Sequence, residues 1–178
     1  MRKSRGFTLV ELMIVVAIMG VLAAMAVYGV ARYIKHAKTA EAARSLGSIE
    51  NGARQQYQRE TPYGGGGSGS GPEVFVHMFC PDAPPTPASV PLAKKEKVPT
   101  TAWDHSGWTC LKFAMTDAQY YSYDHVSNKK LGTDASYTAS ARGDLDGNGN
   151  QSLFELTGHG GPLGDAVRDT FRVVNGDE

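Results

Sequence analysis

No proline occurs before Pro62, so nothing in the first third of the chain forces a helix to break. Cysteine is nearly absent. The two present, Cys80 and Cys110, are too few for a disulfide-dense scaffold or a four-cysteine zinc site. The five histidines, at 36, 77, 105, 125 and 159, show no zinc-ligand spacing. Charge of one sign is also lacking, because 18 basic residues balance 18 acidic ones. No basic patch calls for nucleic acid. Phosphate-binding loops, nucleophile elbows and carboxylate pairs beside a cleft signal are missing too, so an enzyme is not expected.

What the chain does have is one long apolar run. Residues 7–31 hold a single charge, Glu11, and follow a basic leader with Arg2, Lys3 and Arg5. About 20 apolar residues suffice to cross a bilayer as a helix. The leader's positive charge favours a cytoplasmic N-terminus, which leaves the rest of the chain outside. A secretory signal peptide would have a shorter apolar core followed by a small-residue cleavage site. A plain anchor explains the length but not Glu11, since a charge at bilayer depth costs about 3 kcal/mol and usually has a partner. A cut between Gly6 and Phe7 would supply one. Phe7 would gain a free amino group, one helical turn from Glu11 in sequence, for a neighbouring subunit's Glu11 to neutralise.

The stretch GFTLVELMIVVAIMGVLAA closely resembles the N-terminal signature of type IV pilins and the related type II secretion pseudopilins. The resemblance implies removal of residues 1–6 by a prepilin peptidase of the inner membrane, N-methylation of Phe7, and a role for Glu11 in subunit assembly. It implies an α+β pilin fold, with a long N-terminal helix packed on a C-terminal antiparallel sheet. Implied partners are further copies of the chain in a helical homopolymer, the peptidase, and an assembly platform with its ATPase. The implied product is the structural subunit of an extracellular type IV pilus serving adhesion or twitching motility. The alternative is a pseudopilin forming a periplasmic piston. Many relatives carry a proline late in the hydrophobic helix; here Gly20 and Gly29 are the weak points instead.

Residues 32–60 continue as helix. Ala42, Leu46, Ile49, Ala53 and Tyr57 recur at three- and four-residue intervals and mark one apolar face, with Arg44, Glu50, Arg54 and Gln58 expected outside it. Residues 61–107 read as a variable loop region. It holds a Gly/Ser run from Gly64 to Gly71, a short strand over Val74-Phe75-Val76 and Met78-Phe79, and six prolines from Pro81 to Pro99 around the cluster Lys94-Lys95-Glu96-Lys97. Residues 108–178 read as an antiparallel sheet of about four strands. Its candidates are 108–115, 119–126, 135–142, 152–157 and 170–174. Tyr120, Tyr121 and Tyr123 fit core packing better than an adhesive surface.

Two further features invite chemistry. Cys80 and Cys110 lie in the segment expected outside the cytoplasm, where an oxidising setting favours a disulfide; two buried free thiols are the alternative. Residues 144–155 match the spacing of a calcium loop, D-x-D-x-N-G-x5-E. Asp144, Asp146, Asn148, Asn150, Ser152 and Glu155 are the candidate ligands, and calcium the possible cofactor. The competing reading is a polar β-turn, since Asp-Gly-Asn-Gly is strong turn chemistry and similar sequences resemble turns in some pilins.

Overall fold

The computed structural model describes residues 6–63 and 74–176. Residues 1–5 of the leader and the glycine-rich run from Gly64 to Gly71 lie outside the described residues. Two compact units divide the chain, Met1–Ala37 and Lys38–Glu178. One helix, α1 (Leu9–Tyr57), contributes to both.

Within the first unit α1 is apolar and solvent-facing. An 18-residue window of the helix is long and apolar enough to cross a membrane, and none of it is buried.

In the second unit the remainder of α1 is amphipathic as expected. Ala42, Leu46, Ile49, Ala53 and Tyr57 are fully buried. Glu50 departs from expectation: it lies inside the buried face, 2% exposed. The reason is a partner across the fold, described below. Gly52 also has a task there. A Cβ at this position would collide with the Leu111 carbonyl, so glycine permits a close approach that a larger residue would block.

The sheet partner is a five-stranded antiparallel meander in the order β3 (Ala83–Thr86), β4 (Tyr121–Ser127), β5 (Ser136–Gly143), β6 (Ser152–Gly160) and β7 (Ala166–Val174). The expected count was about four strands. The additional one, β3, lies in the proline-rich segment that was read as surface loop. Pro84 and Pro85 lack an N–H, which confines this strand to an edge, where it pairs with β4 alone through Ala83 and Thr86. A separate two-stranded ribbon joins β1 (Thr61–Tyr63) to β2 (Val74–Val76).

The core face alternates as strand geometry demands. Tyr121, Tyr123 and His125 on β4 face the core. They pair in register with Gly143, Ala141 and Ala139 on β5, whose small side chains leave room for the tyrosine rings. Phe154 and Leu156 extend the face on β6. The tyrosine cluster is thus core, apart from half-buried Tyr120.

One expected strand is a helix. Residues 108–115 alternate, but Ser106–Leu111 forms α2. His105 caps its start, with Nδ1 accepting the Gly107 N–H at 3.2 Å, and Lys112 ends it in a left-handed conformation. Trp108 and Leu111 both enter the core, a spacing that suits a helix face. Phe113 reaches the core from beyond the cap, which explains why the alternation looked strand-like.

Candidate functional site

The N-terminal site is built on a reciprocal cap. The backbone N–H and the Oγ1 hydroxyl of Thr8 both donate to Glu11 Oε2 at 2.8 Å, and the Glu11 N–H donates back to Thr8 Oγ1 at 3.2 Å. This is a capping box, with Thr8 before the helix and Glu11 at its third position. Its sequence signal is T-x-x-E ahead of an apolar run. The carboxylate also stands in the first turn, where the helix dipole favours negative charge. Phe7 is 87% exposed beside it, and Gly6 has open space around its Cα. Gly6, Phe7 and Glu11 therefore lie together at the entrance to the apolar helix, with the carboxylate already oriented.

Cys80 and Cys110 are joined, with 5.7 Å between their Cα atoms. The bond ties the segment before β3 to α2. Closing about 30 residues is worth ~3.5 kcal/mol in the chain-entropy account.

Residues 144–155 divide between a turn and a strand. Asp144 is 1% exposed. Its Oδ1 accepts the Gly147 N–H at 2.6 Å and its Oδ2 the Gly149 N–H at 2.9 Å. Asp146 accepts from the Asn148 N–H and Asn148 from the Asn150 N–H, so successive side chains cap the backbone of a tight loop. Ser152 donates to the Gly143 carbonyl, closing the hairpin. Glu155 lies on β6, in register with Ser140 and Arg172. Among the described residues no group of three or more His, Cys, Asp or Glu side chains is placed to hold a metal ion.

Sequence reasoning missed the charged pair that joins helix to sheet. Arg168 on β7 donates from Nε to Glu50 Oε1 at 2.9 Å and from a second nitrogen to Oε2, while Arg54 stands 3.8 Å away. A glutamate at the edge of an apolar stripe was the only signal. On the other face of the sheet Arg142 pairs with Asp124. Burial raises the Asp124 carboxyl from its ordinary value, against the opposing pull of Arg142. Backbone and side-chain hydrogen bonds from Ser127 and Lys129 lower Asp82. Burial pushes His125 down to about 4 and Tyr121 up to about 12.

The family comparison falls on the same end of the chain. Residues 1–27 match the family model described as the prokaryotic N-terminal methylation motif. A long N-terminal helix and an antiparallel sheet accompany that motif, so the chain is similar to pilins in its N-terminal segment and fold class. A type IV major pilin protein, PilA, of Myxococcus xanthus (strain DK1622) is 38% identical over 61 residues. Those residues are 34% of this chain and 28% of that relative. No solved structure matches. The leader motif and the apolar helix support an inner-membrane precursor and an extracellular mature form.

Proposed function

We propose that this chain is the structural subunit of an extracellular type IV pilus. The observation that carries the reading is the methylation motif over residues 1–27, continuous with a helix apolar enough to cross a membrane. In this reading a prepilin peptidase cuts after Gly6, and the freed Phe7 amine is methylated. Glu11 of an incoming subunit then pairs with the Phe7 amine of one already in place.

The capping box supports this scheme physically. It holds the Glu11 carboxylate in one orientation before docking, with both cap bonds falling on Oε2. An unpaired charge in an apolar setting is costly, so a subunit out of register would be disfavoured by several kcal/mol. Apolar helices then exchange lipid contacts for packing against one another. Adhesion or twitching motility would follow from a surface filament, driven by an assembly platform and its ATPase.

Shearing intact cells and sequencing the released chain by mass spectrometry tests the proposal. Abundant protein starting at methylated Phe7 in the sheared fraction is the expected result. Processed protein confined to the envelope would favour a periplasmic pseudopilin, and uncut protein would overturn the reading.

A further inference from the structure

The lysine cluster at residues 94–97 is not a loosely solvated loop. Ala93 donates to the Asp144 carbonyl at 2.8 Å, and Glu96 and Gln119 exchange two backbone hydrogen bonds of 2.9 Å. These anchors hold the run at both ends while Lys94, Lys95 and Lys97 remain exposed.

A fourth lysine joins it from α1. The Lys38 ammonium lies 4.8 Å from the centroid of the Tyr120 ring, and that of Lys95 lies 5.0 Å from the same centroid. Two cations therefore converge on one ring. Glu41 steadies the arrangement, accepting the Tyr120 N–H at 2.7 Å and standing 3.6 Å from Lys95. Lys94 and Lys97 flank Lys95 in sequence, so four lysines gather around this ring and the Glu41 carboxylate. Crowding like charges is unfavourable unless an anion relieves it.

The patch also has a defined place along the chain. Lys38 follows the end of the apolar run at Ala31 by seven residues, a chain length that reaches at most ~25 Å.

We propose that Lys38, Lys94, Lys95 and Lys97 dock on the anionic phosphodiester headgroups of the membrane that holds the precursor. The proposal rests on the inner-membrane reading of the apolar helix, and it concerns the state before assembly. Extraction into a filament would then require releasing these contacts, so lipid charge would set how readily a subunit leaves the bilayer.

The test uses the full chain in lipid nanodiscs of phosphatidylcholine, alone or with about 30% phosphatidylglycerol. A neutral amine-reactive reagent labels lysines, and mass spectrometry reads the rate at each. Lys94, Lys95 and Lys97 are expected to label about threefold more slowly in the anionic discs, with Lys130 unchanged and the difference lost near 1 M salt. The double variant Lys94→Glu, Lys97→Glu, which spares the Lys95 contacts with Glu41 and Tyr120, should keep its melting temperature and lose the protection at Lys95.

Equal rates in the two discs, with the chain inserted, would overturn the lipid contact and leave the filament reading intact. Protection that follows the number of chains per disc in phosphatidylcholine alone would assign the patch to a second copy instead. Failure of the chain to insert into either disc would overturn this proposal and the membrane reading together.

Discussion

Arg168 and Glu50 form an ion pair that fastens α1 to the edge strand β7, 118 residues away in sequence. The carboxylate is buried and the guanidinium half-exposed, so the pair is strong only while both members are present. Arg168→Ala should lower unfolding free energy by about 2–3 kcal/mol, moderated by Arg54 nearby. The double variant Glu50→Leu, Arg168→Leu should recover most of that loss. Urea denaturation of the wild-type, single-variant and double-variant proteins in detergent measures it, and a double variant no more stable than Arg168→Ala would refute the coupling.

His125 should make the fold acid-sensitive. It is fully buried, and burial holds its folded value at about 4 against an ordinary 6.5. The unfolded chain therefore binds a proton that the folded chain refuses. Stability contributed by the neutral ring is complete above pH ~6.5 and falls by up to ~3 kcal/mol as pH drops to ~4. His125→Gln should flatten this part of the stability profile, with the carboxylates common to both proteins cancelling in the difference.

Thr8 separates capping from assembly. Thr8→Ala removes the cap but keeps the Glu11 carboxylate, at a cost of about 1 kcal/mol to the helix end. Sheared filaments should still form. Glu11→Ala removes the carboxylate and should abolish them. Normal filament yield from Glu11→Ala would leave the capping box as the whole role of this residue.

The loop at residues 144–155 is testable by calcium alone. Both Asp144 oxygens accept backbone N–H groups, which supports the β-turn reading of this loop. The melting temperature is expected to be the same in millimolar calcium and in chelator. Asp144→Ala should cost about 1–2 kcal/mol in either condition, because the N–H groups of Gly147 and Gly149 lose a charged acceptor. A rise of several degrees in calcium would establish the ion site.

Reduction of the Cys80–Cys110 bond should lower stability by ~3.5 kcal/mol. Denaturation with and without reductant reads the difference directly.

Local periodicity made much of this legible from sequence. The apolar run, the 42–57 stripe and the alternation through Ala135, Tyr137, Ala139 and Ala141 all carry a repeat that only one regular structure satisfies, and each lies where the pattern puts it. The failures share a different cause. Residues 108–115 alternate, but the His105 and Lys112 caps and the approach of Gly52 to Leu111 favour helix there. β3 was hidden because two prolines argue against a strand unless its free side faces solvent. Glu50 was assigned to the surface because its partner comes from β7, far along the chain. Thr8 and Glu11 are legible as a pair from their spacing ahead of the apolar run, and a local cap leaves the carboxylate's second oxygen for a partner outside the chain.

The prolines of β3 have a wider meaning. An edge strand with free N–H groups invites another chain to add itself and extend the sheet. Pro84 and Pro85 present no such groups, so this border of the sheet is insulated. Where many copies stand shoulder to shoulder, each head can crowd its neighbours without the two sheets fusing into one ribbon across that border. Packing at high density and resistance to aggregation, usually in conflict, are reconciled along this edge by two residues that cannot donate a hydrogen bond.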